Sequence, residues 1–134
     1  MCQRGQGVVQ GLFETFDDNR LRGLIAWLPM LPDDNAKTAQ TQSVLFGDAR
    51  VTQGWDGKRD VGDLYAQMLG LQGTAWDVYL LYPPGVPWVG EQPPHPSFWM
   101  HQLPEIVGAP PKLFLDPDKL ASELRGILDD APPN

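Results

Sequence analysis

The sequence predicts an α/β protein in which helices cover both faces of a mixed sheet. Segments with helical and strand patterns alternate along the chain, which is typical of this class. Two strand segments, 21–31 and 75–82, are apolar without regular polar alternation, as expected for strands covered on both sides. A chain of 134 residues suits one domain, so we predict a single domain over residues 1–134.

Each predicted element has its own local signal. Helices show apolar side chains at helical spacing, and capping residues mark where several of them start. Asp34 or Asn35 begins the second helix, Asp60 the third, and Asp116 with Pro117 the last. The elements in order are helix 5–16, strand 21–31, helix 32–47, strand 49–55, helix 60–70, strand 75–82, hairpin strands within 83–104, and helix 115–128.

Composition excludes several classes of partner. The net charge of −7 makes a nucleic-acid backbone or an anionic membrane surface an unfavourable partner. The longest apolar runs fall far short of the roughly 20 residues that span a bilayer. One cysteine, Cys2, excludes an intrachain disulfide and favours a reducing compartment, so we predict a cytoplasmic protein.

Prolines concentrate in one part of the chain. Ten of the 14 prolines lie between Pro83 and Pro117, so this part cannot be a continuous helix. We define residues 83–104 as the excursion and predict that it is a surface hairpin. Its aromatic residues, among them Trp88 and Trp99, either cap the core or form a hydrophobic docking surface.

The order of elements, with a cysteine just before the first helix, resembles the thioredoxin-like fold. "MCQRGQGVVQGLF" resembles the start of that family's active-site helix, "RVTQGWDGKRDVGDLYAQMLGL" its next strand and helix, "AWDVYLLYPPGVPW" its hairpin, and "KLASELRGIL" its last helix. "WLPMLPDDN", "RVTQGWD" and "AWDVYLLY" are similar to a bacterial branch of the family. The resemblance implies a three-layer α/β/α sandwich that lacks its leading strand.

Two departures from the family bear on activity. The family's C-x-x-C is absent, so Cys2 holds either its first or its second position. The family also places a cis-proline before the strand that corresponds to Val78–Tyr82, where this chain reads "GTAWD". Alanine or tryptophan cannot cheaply hold a cis bond, which puts the family's substrate-cradling geometry in doubt.

Cys2 is the candidate catalytic residue. A thiol at a helix N-terminus is held as thiolate by the helix dipole, and Arg4 adds to this effect. Asp77 is the second candidate, as a buried acid that tunes Cys2. A single thiol forms mixed disulfides with glutathione or a partner protein and needs no cofactor. The structural alternative is a free cysteine without function.

The acidic and histidine residues have simpler interpretations. Asp56 and Asp77 each follow a tryptophan, Trp76 in the second case, and are expected to accept hydrogen bonds from loop N–H groups. His95 and His101 are predicted to lie too far apart to share a metal, and no metal site is expected. His101 is expected to be a surface or capping histidine, with proton transfer as the alternative.

Two functional classes follow from these observations. The first is a thioredoxin-like domain with a thiol-dependent redox role, either retained or lost. The second is a non-catalytic protein-binding module that uses the tryptophan- and proline-rich excursion. The candidate partner-binding residues for the two classes are Arg4, Trp76, Trp88 and Trp99.

Overall fold

The computed structural model describes residues 3–133, and its elements follow the predicted order. The α/β class is therefore confirmed. No helix in this part of the chain has the length and apolar character needed to cross a membrane. The elements are α1 (Gln3–Thr15), β1 (Gly23–Trp27), α2 (Ala36–Val44), β2 (Val51–Trp55), α3 (Asp60–Leu69), β3 (Val78–Leu81), β4 (Phe98–His101) and α4 (Pro117–Asp130), with 3-10 turns at Glu105–Val107 and Pro111–Leu113.

Two of the predicted caps are confirmed and one is corrected. The Asn35 side chain accepts hydrogen bonds from the first turn of α2, and Asp116 does the same for α4. Asp60 was expected to cap α3, but it is the first residue of that helix. Asp56 provides the cap, because its carboxylate accepts from the backbone N–H groups of Asp60 at 3.0 Å and Val61 at 2.8 Å.

The chain divides into two compact units, with the boundary between Val61 and Gly62. In the first unit β1 and β2 are parallel, with Trp27 opposite Trp55. In the second unit β3 and β4 are antiparallel. Residues 3–133 thus contain two two-stranded sheets in place of the single mixed sheet expected. An apolar run identifies a strand, but it does not specify the partner with which that strand pairs.

The expected coverage of both faces is wrong for β1. Leu24 is 85% exposed and Ala26 is also exposed, whereas Ile25 is half-buried and Trp27 is buried. One face of β1 therefore meets solvent. This outer face carries little apolar surface besides Leu24, so leaving it uncovered costs less than the apolar run suggested.

Arg50 connects α1 with the start of β2 in the first unit. Its guanidinium donates to the backbone carbonyls of Phe13 at 2.6 Å and Phe16 at 2.5 Å, and lies 5.0 Å from the Phe13 ring centroid. Asp48 completes the arrangement with an ion pair at 2.7 Å. Hydrogen bonds from Arg50 lower the pKa of Asp48 to about 2. Arg50 thus satisfies carbonyls that the end of α1 leaves without helical partners.

Each unit has its own apolar core. The first unit is organised around Phe13 and Phe46, whose rings meet edge to face at 6.1 Å. In the second unit α4 buries leucines that lie at helical spacing. The buried hydrophobic residues of the second unit are Ala66, Met68, Ala75, Tyr79, Met100, Leu103, Ala109, Leu115, Leu120, Leu124 and Leu128.

Candidate functional site

The excursion presents a short exposed hydrophobic segment in the second unit. We call Val86–Val89 the tip. Its hydrophobic side chains are 38% exposed at Val86, 49% at Trp88 and 78% at Val89, and Pro87 between them is also exposed. Three large apolar side chains are thus exposed within four residues, and exposed apolar clusters are a feature of interaction surfaces.

Two glycines bracket the tip. Gly85 has φ 81° and Gly90 has φ 84°, a region in which residues with a Cβ are strained. The backbone therefore turns on each side of Val86–Val89. The same geometry excludes a continuous polyproline II helix through Pro84–Pro87, because that helix requires negative φ throughout.

The base of the excursion is closed by hydrogen bonds. Ser97 donates to the Leu81 carbonyl through both its backbone N–H at 2.9 Å and its hydroxyl at 3.0 Å. The Tyr82 hydroxyl donates to the Pro94 carbonyl at 2.7 Å. Burial raises the pKa of Tyr82 well above its usual value, and the nearby Tyr65 raises it further. The hydroxyl therefore stays protonated and remains a donor at neutral pH.

Trp88 is anchored on one side while remaining accessible on the other. Its ring centroid lies 6.1 Å from that of Tyr65 on α3, with the rings nearly perpendicular at 89°. This edge-to-face contact is a favoured aromatic geometry. Half of Trp88 remains exposed, so the contact with Tyr65 orients the side chain without burying it in the core.

His101 is buried, so the expectation of a surface or capping histidine is wrong. It is 2% exposed, at the end of β4. Its Nδ1 accepts from the Leu103 backbone N–H at 3.1 Å, so the proton lies on Nε2, which donates to the Pro110 carbonyl at 2.9 Å. The rings of Trp99 and Phe114 flank it at 5.7 and 5.8 Å. With both nitrogens engaged, His101 acts as a connector rather than an accessible proton carrier.

The predicted site residues do not form one described cluster. Cys2 lies outside the described residues, so its catalytic role and its tuning by Asp77 stay predictions. Arg4 is exposed in the first turn of α1. Trp76 is half-buried before β3, and Trp99 is half-buried beside His101. Among the predicted partner-binding tryptophans, Trp88 is the one on the exposed tip.

The two Trp-Asp pairs have different local structures. The Asp56 side chain accepts from backbone N–H groups, but these belong to the first turn of α3 and not to a loop as expected. Asp77 instead adopts a left-handed backbone with φ 48°, and its carbonyl accepts from the Gln102 backbone N–H at 2.9 Å. Aspartate tolerates this conformation better than most residues. A capping role for the Asp77 side chain stays a prediction.

The described residues contain two arrangements that sequence reasoning missed. The guanidinium of Arg50 reaches carbonyls 34 and 37 positions away, and the His101 ring bridges to Pro110. No spacing signal marks contacts between such distant positions.

Across residues 3–133 there is no group of three His, Cys, Asp or Glu side chains placed to hold a metal ion. The exposed side chains of the tip support hydrophobic contact with a partner.

Comparison with known proteins found no matching family model, no matching curated protein and no matching solved structure.

Proposed function

We propose that this chain is an α/β protein with a thioredoxin-like order of elements that binds a peptide segment of a partner through the tip. The order α1, β1, α2, β2, α3, β3, β4, α4 supports the fold, since it follows the family's sequence of helices, strands, hairpin and closing helix. The observation that carries the function is the exposure of Val86, Trp88 and Val89 on a segment held at both ends.

The construction of the excursion favours binding. Its base is closed by Ser97 and Tyr82, and its turns are set by Gly85 and Gly90. A loop that is ordered before binding loses less conformational entropy on binding. Tryptophan is also enriched among residues that dominate binding energy, and Trp88 is the largest side chain of the tip.

An array of random-sequence peptides tests this function. It is probed with the labelled wild-type protein, Val89→Ser and Val44→Ser. Val44 is the matched control, since it is a valine on α2 with 75% exposure against 78% for Val89. We expect a set of peptides that bind the wild type and the Val44→Ser variant equally. The same peptides should not bind the Val89→Ser variant. If no peptide's binding depends on Val89, the docking function is refuted.

The turn glycines provide a second test of the same function. Gly90→Ala leaves the tip's side chains in place but strains the backbone at φ 84°. We expect weaker binding of the peptides that depend on Val89. Gly47→Ala is the control, because Gly47 is exposed and an added Cβ there meets open space. Equal binding by the two alanine variants would show that the shape of the tip is unimportant.

A thiol-dependent role for Cys2 is the second candidate function. It is favoured by the position of α1, which begins at Gln3, directly after Cys2 in the sequence, and continues for 13 residues. Arg4 adds an exposed positive charge in the first turn, which has no acidic residue. A helix N-terminus with a nearby cation lowers a thiol's pKa and raises its thiolate fraction.

The alkylation rate of Cys2 as a function of pH tests this role. We expect a midpoint below about 8.5, the value of a free cysteine, and a mixed disulfide with glutathione detectable by mass spectrometry. Arg4→Gln should move the midpoint upward, because it removes a charge that favours the thiolate. A wild-type midpoint at or above about 8.5 would exclude the activated thiol and leave the docking function unaffected.

A further inference from the structure

We propose that the partner segment docked on the tip is basic as well as apolar. This inference rests on the proposed docking function and adds the charge of the ligand. It follows from the distribution of charge along the chain, which is strongly uneven between the two units.

The negative charge is concentrated in the unit that carries the tip. Residues 62–134 contain nine Asp or Glu and three Lys or Arg, a balance of −6, whereas residues 1–61 contain eight and seven, a balance of −1. Nearly all of the chain's net charge of −7 therefore belongs to the second unit. Such an imbalance attracts cationic ligands and repels anionic ones.

The excursion itself has the same sign. Residues 83–104 contain no Lys or Arg and one acidic residue, Glu91, which is exposed. Glu91 directly follows Gly90, so it lies two positions from Val89 at the edge of the tip. An exposed apolar patch with a carboxylate at its rim matches a segment that has apolar side chains beside Lys or Arg.

The three cations of the second unit lie outside residues 83–104 in the sequence. Lys112 belongs to the turn Pro111–Leu113, and Lys119 and Arg125 belong to α4. Lys119 contacts the excursion at Phe98 on β4, where it lies 5.7 Å from the ring centroid, nine positions from Val89 in the sequence. Apolar contact with the tip is expected to supply most of the affinity, while the charges set selectivity and the rate of association.

Three short peptides of equal length separate the contributions. The first alternates Leu with Lys, the second replaces each Lys by Glu, and the third keeps Lys but replaces each Leu by Ser. Binding is measured by fluorescence anisotropy. We expect the Leu/Lys peptide to bind at least about tenfold more tightly than either of the others. Raising the salt concentration should weaken this binding, because exposed charges are screened.

Variants assign the binding to the tip. Val89→Ser should weaken binding of the Leu/Lys peptide several-fold, whereas Val44→Ser should leave the affinity for this peptide unchanged. Glu91→Lys should also weaken it, and Glu123→Lys on α4 is the control for the change in net charge. Equal effects of the two charge reversals would mean that the field of the whole unit acts rather than the rim of the tip, and would overturn the role assigned to Glu91.

The outcome distinguishes this inference from the docking function. If peptides selected by the tip are neutral or acidic, the docking function stands and the basic partner is refuted. If no peptide binding depends on Val89, the docking function itself fails. Sedimentation velocity tests whether a second copy of the chain binds to the tip. Self-association that Val89→Ser abolishes would identify that copy as the ligand and overturn the proposed basic partner.

Discussion

Replacing His101 should destabilise the second unit strongly, because its ring satisfies two backbone groups at once. In His101→Ala the buried Leu103 N–H loses its acceptor, which costs about 2–3 kcal/mol. The Pro110 carbonyl is only partly buried, so its loss costs about 1 kcal/mol. Removing the ring from between Trp99 and Phe114 adds a cavity term on the order of 1 kcal/mol. The expected total is about 4–5 kcal/mol.

Two polar variants divide this total between the ring nitrogens. His101→Asn places an oxygen near the position of Nδ1 and retains the acceptor for Leu103. His101→Gln places an amide nitrogen near the position of Nε2 and retains the donor to Pro110. Because the Leu103 group is the more deeply buried, His101→Asn should cost about 1–2 kcal/mol and His101→Gln about 2–3 kcal/mol.

Urea unfolding followed by tryptophan fluorescence and circular dichroism measures these differences. His95→Ala is the control, since His95 is exposed and its loss should stay within about 0.5 kcal/mol. Two results would refute the reasoning. One is a value for His101→Ala that is indistinguishable from that of His95→Ala, and the other is a larger loss for His101→Asn than for His101→Gln.

The remaining predictions concern acidic residues and use the same urea assay. Asp56→Ala removes the cap of α3 and should cost about 1 kcal/mol, against less than about 0.5 for exposed Asp33→Ala. Asp77→Ala should lower the free energy of unfolding by about 1–2 kcal/mol, because alanine is strained at the backbone φ of 48° that Asp77 adopts. Asp77→Gly should lower it less, since glycine has no Cβ, and the reverse order would contradict this reasoning. Paired arginines depress the pKa of Asp18 and Asp48 from 3.8 to about 2, so their stabilisation is present above about pH 4 and is lost toward pH 2. In Asp48→Asn the free energy of unfolding should fall less between about pH 4 and about pH 2 than in the wild type. Parallel pH dependences of the two proteins would disprove this prediction.

Local signals in the sequence predicted the elements well. Caps such as Asn35 and Asp116 act on N–H groups two or three positions away, so a short window contains the whole interaction. Helix α4 was predicted from apolar side chains at helical spacing, which burial on one helix face imposes. The order of helices and strands follows from such signals, and the structure has that order.

Contacts between distant positions were not predictable in the same way. The pairing of β1 with β2 and of β3 with β4 depends on hydrogen bonds across the sheets, which an apolar run does not encode. His101 looked like a surface residue because its partner Pro110 lies nine positions away and is bonded through its backbone. The excursion was located by its proline content, but the exposed tip within it is known only from the structure.

The most direct test of tip docking is an NMR titration of the five tryptophan indole N–H groups. The protein is titrated with the tightest peptide from the array. We expect the Trp88 signal to shift with saturation, while the signal of Trp27, which is buried and bonded to Gln53 at 3.0 Å, stays in place. A titration in which the peptide binds but Trp88 is unmoved, or moves no more than Trp27, would contradict docking at the tip.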